Sequence, residues 1–254
     1  MLQEERLNKI LDHVNHKKYC SIQDIAQLMR ISKATARRDL KILGDRIQIY
    51  LTRGGAMRMT SGTTQEPSYP VKVNTNHDEK VRIGIKAASM INRGETVILD
   101  SGTTALQIAE ALFHKQDVTV ATNDISIANR LAEAKGIAVT VIGGSLRKGY
   151  YSTQGYLALH ALENINADKV FIGVDALDVK RGFMITNDAE IMVKKMMLKS
   201  AKEVIVICDH SKFENVAFMN LCTLSQVNKI ITGTELNQNI YSTFTDAGVE
   251  IILV

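Results

Sequence analysis

The chain has 254 residues, 45% of them hydrophobic and 23% charged, and a formal net charge of +4. That length admits one large domain or two smaller ones, with ample apolar content for a core. No apolar run approaches the roughly 20 residues of a membrane span, the N-terminus carries no basic-then-apolar leader, and the three cysteines, Cys20, Cys208 and Cys222, form neither a CxxC pair nor a metal spacing. A cytoplasmic protein with reduced, structural thiols is expected.

Charge is distributed unevenly. Residues 1–60 hold twelve Lys and Arg against six Asp and Glu, whereas residues 61–254 hold nineteen against twenty-one. All of the positive excess sits in the first quarter, which favours a nucleic-acid-binding head on a body that need not touch nucleic acid.

Residues 3–16 read as an amphipathic helix, with Leu7, Ile10, Leu11 and Val14 at helical spacing. Ser21 is placed to cap a second helix, with Asp24 reaching back in a capping box. Ile22, Ile25, Ala26, Leu28 and Met29 form its buried side. After a short turn at Arg30-Ile31, Ser32 caps a third helix running to Leu43, with Ala36, Leu40 and Leu43 on one apolar face. Lys33, Thr35, Arg37, Arg38 and Lys41 occupy the rest of its surface. Alone, this helix reads equally well as a solvated amphipathic surface helix. The order helix, helix, tight turn, basic helix makes it the reading helix of a helix-turn-helix, suited to base edges and phosphates in a major groove. Alternating residues 47–52 and 56–59 around Gly54-Gly55 suggest a β-hairpin wing, which brings Arg53 and Arg58 near the DNA backbone or minor groove.

Residues 60–77 are rich in Ser, Thr, Gly and Asn and contain the only prolines, Pro67 and Pro70. A semi-extended linker is expected there, between a head over 1–59 and a body over 78–254. From residue 78 the pattern is α/β. Val- and Ile-rich runs at 96–99, 118–121, 138–142, 169–173, 204–207, 229–232 and 249–254 alternate with helical segments such as 78–91, 104–113, 124–135 and 188–201. This predicts a mostly parallel open sheet covered by helices.

Ligands of such sheets bind beyond the carboxyl ends of the strands, and here those ends are polar. Asp100-Ser101-Gly102-Thr103-Thr104 leads into a helix, offering hydroxyls, N–H groups and the positive end of the helix dipole to an anion. Thr122-Asn123, Gly143-Gly144, Asp175, Asp178 and Lys212 lie at the other ends. Asn123, Asp175 and Asp178 suit sugar hydroxyls, and Lys212 suits a phosphate. Glu190, followed by Lys194, sits on the helix 188–201; alone it reads as a solvated surface carboxylate. Neither a Walker nor a GxGxxG pattern is present, so a small phosphorylated metabolite is expected rather than an NTP or dinucleotide. Six histidines show no metal spacing, and neither metal nor cofactor is assigned.

These residues resemble the DeoR-type (DeoR/GlpR) bacterial transcription regulators of sugar metabolism, along nearly the whole chain. The resemblance lies in Ile31–Leu40 and Arg53-Gly54-Gly55-Ala56 in the head. In the body it lies in Asp100–Thr104, Thr122-Asn123, Ile142-Gly143-Gly144 and Asp209-His210-Ser211-Lys212-Phe213. It implies a winged helix-turn-helix on a ribose-5-phosphate-isomerase-like α/β domain and a double-stranded DNA operator, most often repressed. It implies also a phosphorylated sugar as inducer, and a homodimer or homotetramer. Two positions depart from the family: Ala36 where isoleucine is usual, and His210 where a small hydroxyl residue is common. The isomerase's GxDxxD stretch is matched by Gly173–Asp178, but its glycine-rich run is reduced to Gly182. Binding without turnover is therefore expected; the alternative is an isomerase-like enzyme with an accessory DNA-binding head.

Overall fold

The structure is a computed structural model and describes residues 2–17, 19–45, 49–52, 54–58, 62–64 and 66–254. It divides into two compact units, Met1–Lys72 and Val73–Val254.

The first unit begins with helix α1 (Gln3–Lys17), strand β1 (Tyr19–Ser21), helix α2 (Ile22–Met29) and helix α3 (Lys33–Asp45), and continues with strands β2 (Ile49–Thr52) and β3 (Gly55–Arg58). Ser21 caps α2 by accepting from the Asp24 N–H while Asp24 accepts from the Ser21 N–H, the reciprocal box expected of the sequence. The helix ends at Arg30, whose left-handed φ of 52° turns the chain toward α3. Leu7, Ile10, Val14, Ile25, Ala36, Leu40 and Leu43 pack into one core. The three strands pair antiparallel in the order β1-β3-β2. Strand β1 was not anticipated. It requires Gly55, because a Cβ there would stand 2.0 Å from the Cys20 carbonyl oxygen.

Next in the chain comes helix α4 (Tyr69–Asn74), within which one unit ends at Lys72 and the other begins at Val73. The sequence suggests a semi-extended linker here. Pro70 instead sits in the first turn of a helix, where its missing N–H would have no intrahelical partner and its fixed φ is already helical.

The body runs α5 (His77–Ser89), β4 (Thr96–Leu99), α6 (Thr103–Leu112), β5 (Val118–Thr122), α7 (Ile125–Leu131) and β6 (Ile137–Val141). A hairpin of β7 (Ser145–Leu146) and β8 (Thr153–Gln154) and helix α8 (Tyr156–Leu162) follow. Then come β9 (Ala167–Gly173), β10 (Ala176–Asp178), β11 (Gly182–Ile185), α9 (Asp188–Lys199) and β12 (Ala201–Ile207). The chain closes with β13 (Met219–Cys222), β14 (Lys229–Thr232), α10 (Gln238–Asp246) and β15 (Glu250–Leu253). Seven strands form one sheet in the order β15-β14-β12-β9-β4-β5-β6, every pair parallel. They coincide with the seven apolar runs of the sequence.

Both faces of the sheet are covered. Val97, Leu99, Val120, Phe171 and Ile207 pack against α5, α6 and α7. Ile98, Ala121, Val170, Ile172 and Val206 pack against α8, α9 and α10. A small antiparallel sheet, β10-β11-β13, adds Leu177, Phe183 and Leu221 to the second cluster. Among the described residues no helix is long and apolar enough to cross a membrane.

Candidate functional site

In the first unit, Ser32 accepts the Thr35 N–H at 3.1 Å and so caps α3, and its hydroxyl lies 2.9 Å from that of Thr35. Lys33, Arg37, Arg38 and Lys41 are exposed on the face away from the buried Ala36, Leu40 and Leu43. Lys33 reaches back to Gln23 at 3.3 Å, linking the basic helix to α2. The helix is fixed from behind by a pair the sequence reading missed. Arg6 on α1 donates to both oxygens of Asp39, which is fully buried. The only signal for it was an acid within an otherwise basic helix. Ser21 is half-buried and its hydroxyl serves the α2 cap. Arg53 and the side chain of Arg58, both expected at the DNA, lie outside the described residues.

In the second unit the strand order reverses between β4 and β9. From β4 the chain steps outward through β5 and β6, then returns on the other side to β9, β12, β14 and β15. A reversal of this kind opens a crevice above the strand ends. Four buried side-chain oxygens among the described residues lack a protein partner, and two of them, Asp100 Oδ1 and Asn123 Oδ1, belong to residues just past the carboxyl ends of the adjacent strands β4 and β5.

Asp100 is fully buried. Its Oδ2 accepts the Gly173 N–H at 2.9 Å and pairs with Lys194 of α9, whose ammonium also donates to the Gly173 carbonyl at 3.0 Å. Burial raises the Asp100 carboxyl above its ordinary range, against the pull of Lys194 and the Gly173 N–H. Burial opposes the Lys194 charge too, yet the carboxylates of Asp100, Glu190 and Asp175 outweigh it and hold its pKa above the ordinary value. Glu190, one turn before Lys194, accepts from the Ser152 hydroxyl at 2.6 Å and lies 3.3 Å from the Arg147 guanidinium. Arg147 in turn lies over the Tyr150 ring, 3.8 Å from its centroid. The Glu190 carboxylate is thus a buried member of this network, not the solvated surface group it resembles in isolation.

Asn123 is held by the β7–β8 hairpin. Its Nδ2 donates to the Thr153 carbonyl at 3.0 Å, and its backbone carbonyl accepts the Thr153 N–H at 2.8 Å. Beside it Asp124 caps α7, accepting from Ser126 and Ile127, and its other oxygen accepts the Gly102 N–H at 3.1 Å. Burial raises the Asp124 carboxyl, against these hydrogen bonds. The Gly102 N–H, offered by the sequence reading to an anion, is therefore already occupied by a carboxylate. Ser101 and Thr104 remain half-buried at the α6 N-terminus, with Thr103 buried between them. Thr122 is buried, its hydroxyl accepting the Asp124 N–H at 3.1 Å.

Not every expected residue joins the group. Asp178 accepts the Lys180 and Arg181 N–H groups at 3.0 and 2.9 Å, so it shapes the β10–β11 turn. Its sequence position after β9 suggested a strand end, but the chain has already turned into a second sheet. Asp175 accepts the Thr186 N–H at 2.9 Å and acts on Lys194 through its charge. Lys212 lies in a short 3-10 turn after β12, where its charge acts on Asp209. Gly143 is exposed; Gly144, at φ 147°, lets the chain pass where a Cβ would stand 2.4 Å from the Gln154 carbonyl. Arg147 and Ser152 were missed, and Asp124 was given no role in the site. Only Asp124 carried a sequence signal, as an Asp directly before a helical run.

Comparison with known proteins accounts for both units. Residues 6–62 match the DeoR-like helix-turn-helix domain and residues 75–234 the DeoR C terminal sensor domain. The chain is 36% identical over 253 residues, all of it and 97% of its relative, to the HTH-type transcriptional repressor GlcR of Bacillus subtilis (strain 168). It is 31% identical over 230 residues, 90% of it and 89% of its relative, to the transcriptional repressor AccR of Agrobacterium fabrum. Among solved structures, ribose 5-phosphate isomerase A from Methanocaldococcus jannaschii is similar over 55% of each chain, at 18% identity and a TM-score of 0.41, too remote to bear on chemistry. With a reading helix and a sensor domain matched in order along one chain, this protein belongs to the DeoR family of DNA-binding transcription regulators, and its role is regulatory rather than enzymatic.

Proposed function

We propose that this regulator represses a carbohydrate-metabolism operon, and that a phosphorylated sugar bound at the carboxyl edge of the parallel sheet relieves the repression. The observation that carries this reading lies at the strand ends beside the β4–β9 reversal: the buried Asp100–Lys194 pair stands one helical turn from the Glu190–Ser152 pair, and Asn123 is buried at the end of the adjacent strand. Such buried polar residues are disfavoured in a body that only oligomerises, because buried acceptors without donors lower stability.

In this reading Ser32, Thr35, Arg37, Arg38 and Lys41 face the operator, with Lys33, Ser21 and the wing residues Arg53 and Arg58 toward phosphates. The α6 N-terminus, through Ser101, Thr103 and Thr104, takes the phosphate. Thr122, Asn123, Gly143, Gly144, Asp175, Glu190 and Lys194 shape the sugar pocket around Asp100. The head extends to residue 59 and the sensing body begins at residue 78. Half-sites read by paired heads call for a homodimer or homotetramer, working in the cytoplasm where operator and metabolite meet. Release requires that the sugar phosphate bind the DNA-free state more tightly than the DNA-bound one.

Mobility-shift titration of the full-length protein on DNA upstream of its own gene, with and without a panel of phosphosugars, tests this. Retardation reversed by at least one phosphosugar is the expected result. Retardation insensitive to the whole panel would contradict it.

A further inference from the structure

Asp100 Oδ1 and Asn123 Oδ1 are buried and receive no hydrogen bond from the protein. Each lies one residue beyond a paired position, Leu99 with Thr122, on adjacent parallel strands. Their backbones therefore stand about 4.8 Å apart. Both follow, at a spacing of two, residues that pack on the α9 side of the sheet, Ile98 and Ala121, so both side chains belong to that face. Lys194 of α9 reaching Asp100 agrees with this placement.

Both atoms act as acceptors. The Asp100 carboxylate is held by Lys194 and the Gly173 N–H through its other oxygen. The Asn123 amide nitrogen is already committed to the Thr153 carbonyl, which fixes the oxygen on the opposite side of the amide. What enters must therefore bring donors. The surrounding charge decides their kind. A phosphate dianion at this point would meet Asp100, Glu190 and Asp175, all of which act on Lys194. An ammonium would crowd Lys194, which already balances Asp100. Neutral hydroxyls satisfy both oxygens without disturbing the pair.

We infer that Asp100 and Asn123 form a hydroxyl-reading pair that takes two neighbouring hydroxyls of a polyol chain. The effector then enters with its sugar end on the α9 side and leaves its phosphate on the α6 side. Ser101–Thr104 connects the two, since α6 packs on the opposite face of the sheet. This inference rests on the effector reading above and adds the orientation of the ligand and the feature it must carry.

The test is calorimetric titration of the full-length protein with ribose 5-phosphate, glucose 6-phosphate, fructose 6-phosphate and glucosamine 6-phosphate. For each parent that binds, its deoxy analogues follow position by position, with inorganic phosphate as the anion-only probe. Loss of either of two adjacent hydroxyls is expected to weaken binding at least about tenfold, with other positions tolerant. In Asn123→Leu the penalty at one of those two positions should vanish while the other persists, a selective change that general loosening of the fold would not produce. If a parent binds and every deoxy analogue binds within about threefold of it, the pair does not read hydroxyls, while the effector reading stands. If none of the parents binds, the effector reading falls and this inference with it. Should Asn123→Leu fail to fold, the analogue series on the unaltered protein decides alone.

Discussion

Arg6 on α1 holds Asp39 on α3 through two hydrogen bonds, Nε to Oδ2 at 2.6 Å and Nη2 to Oδ1 at 3.1 Å. The bond is a fork, and the carboxylate lies on the buried side of the middle of the helix whose far face carries Lys33, Arg37, Arg38 and Lys41. It sets where that basic face points. Arg6→Met would leave Asp39 buried without its counter-charge. A loss of about 3–5 kcal/mol in head stability follows, measurable as an earlier unfolding transition in denaturant. The double variant Arg6→Met/Asp39→Leu should recover much of it. Equal stability of Arg6→Met and the parent protein would remove the clamp from the account.

Arg38 is exposed on α3, so Arg38→Ala should leave stability within about 0.5 kcal/mol of the parent. Operator affinity should fall by about 1–3 kcal/mol, with relaxed preference at one base pair, if the guanidinium forks onto a guanine. Anisotropy titrations on single-base operator variants distinguish this from a phosphate contact, which would weaken all sequences alike and lower the salt slope by about 1.

The Lys194–Asp100 pair predicts asymmetry between its members. Lys194→Met strands a fully buried carboxylate and should destabilise the body by about 3–5 kcal/mol. Adding Asp100→Asn should restore part of this, because the remaining group is neutral. Thermal unfolding of both variants at constant pH checks the order. A single variant as stable as the double would contradict the pairing.

How much of this was visible in the sequence depends on what each residue's neighbours are. The seven-stranded sheet was legible because a parallel strand buried on both faces reads as an unbroken Val/Ile run, as 204–207 and 229–232 do. The α2 capping box was legible because its two partners are three residues apart. The β10-β11-β13 sheet was not: Ala176–Asp178 is only three residues long, and Met219–Cys222 joins through long-range pairing with β11. Asp39 and Arg147 were invisible for the same reason, their partners being 33 and 43 positions away. Asp178 misled because its place after an apolar strand gave no hint that the chain would enter a second sheet.

His210 stands next to Glu79, its Nδ1 2.7 Å from Oε2, and the His210 N–H donates to Oε1 at 2.7 Å. The hydrogen bond to Glu79 raises the imidazole above its ordinary pKa, burial opposes this, and the charges of Glu79, Asp209 and Glu235 add to the rise. A histidine whose folded pKa is raised adds stability that is complete below its unfolded value. That stability is lost as pH climbs through the raised one. The melting-temperature advantage of the parent over His210→Gln should therefore be full below the ordinary histidine range and shrink as pH rises through and above it. An advantage that is constant or grows with pH would show that this proton does not stabilise the fold.

In the proposed regulator the strand-end site of the body is the input and α3 the output. Thr103 and Thr104 open α6 at that site, and Thr103→Val/Thr104→Val removes both hydroxyls while keeping side-chain shape. Operator binding of this double variant, titrated with the phosphosugar that releases the parent protein, is the most direct measurement. Operator affinity equal to the parent's, with release abolished, is the predicted result. Release at the parent's phosphosugar concentration would contradict the account.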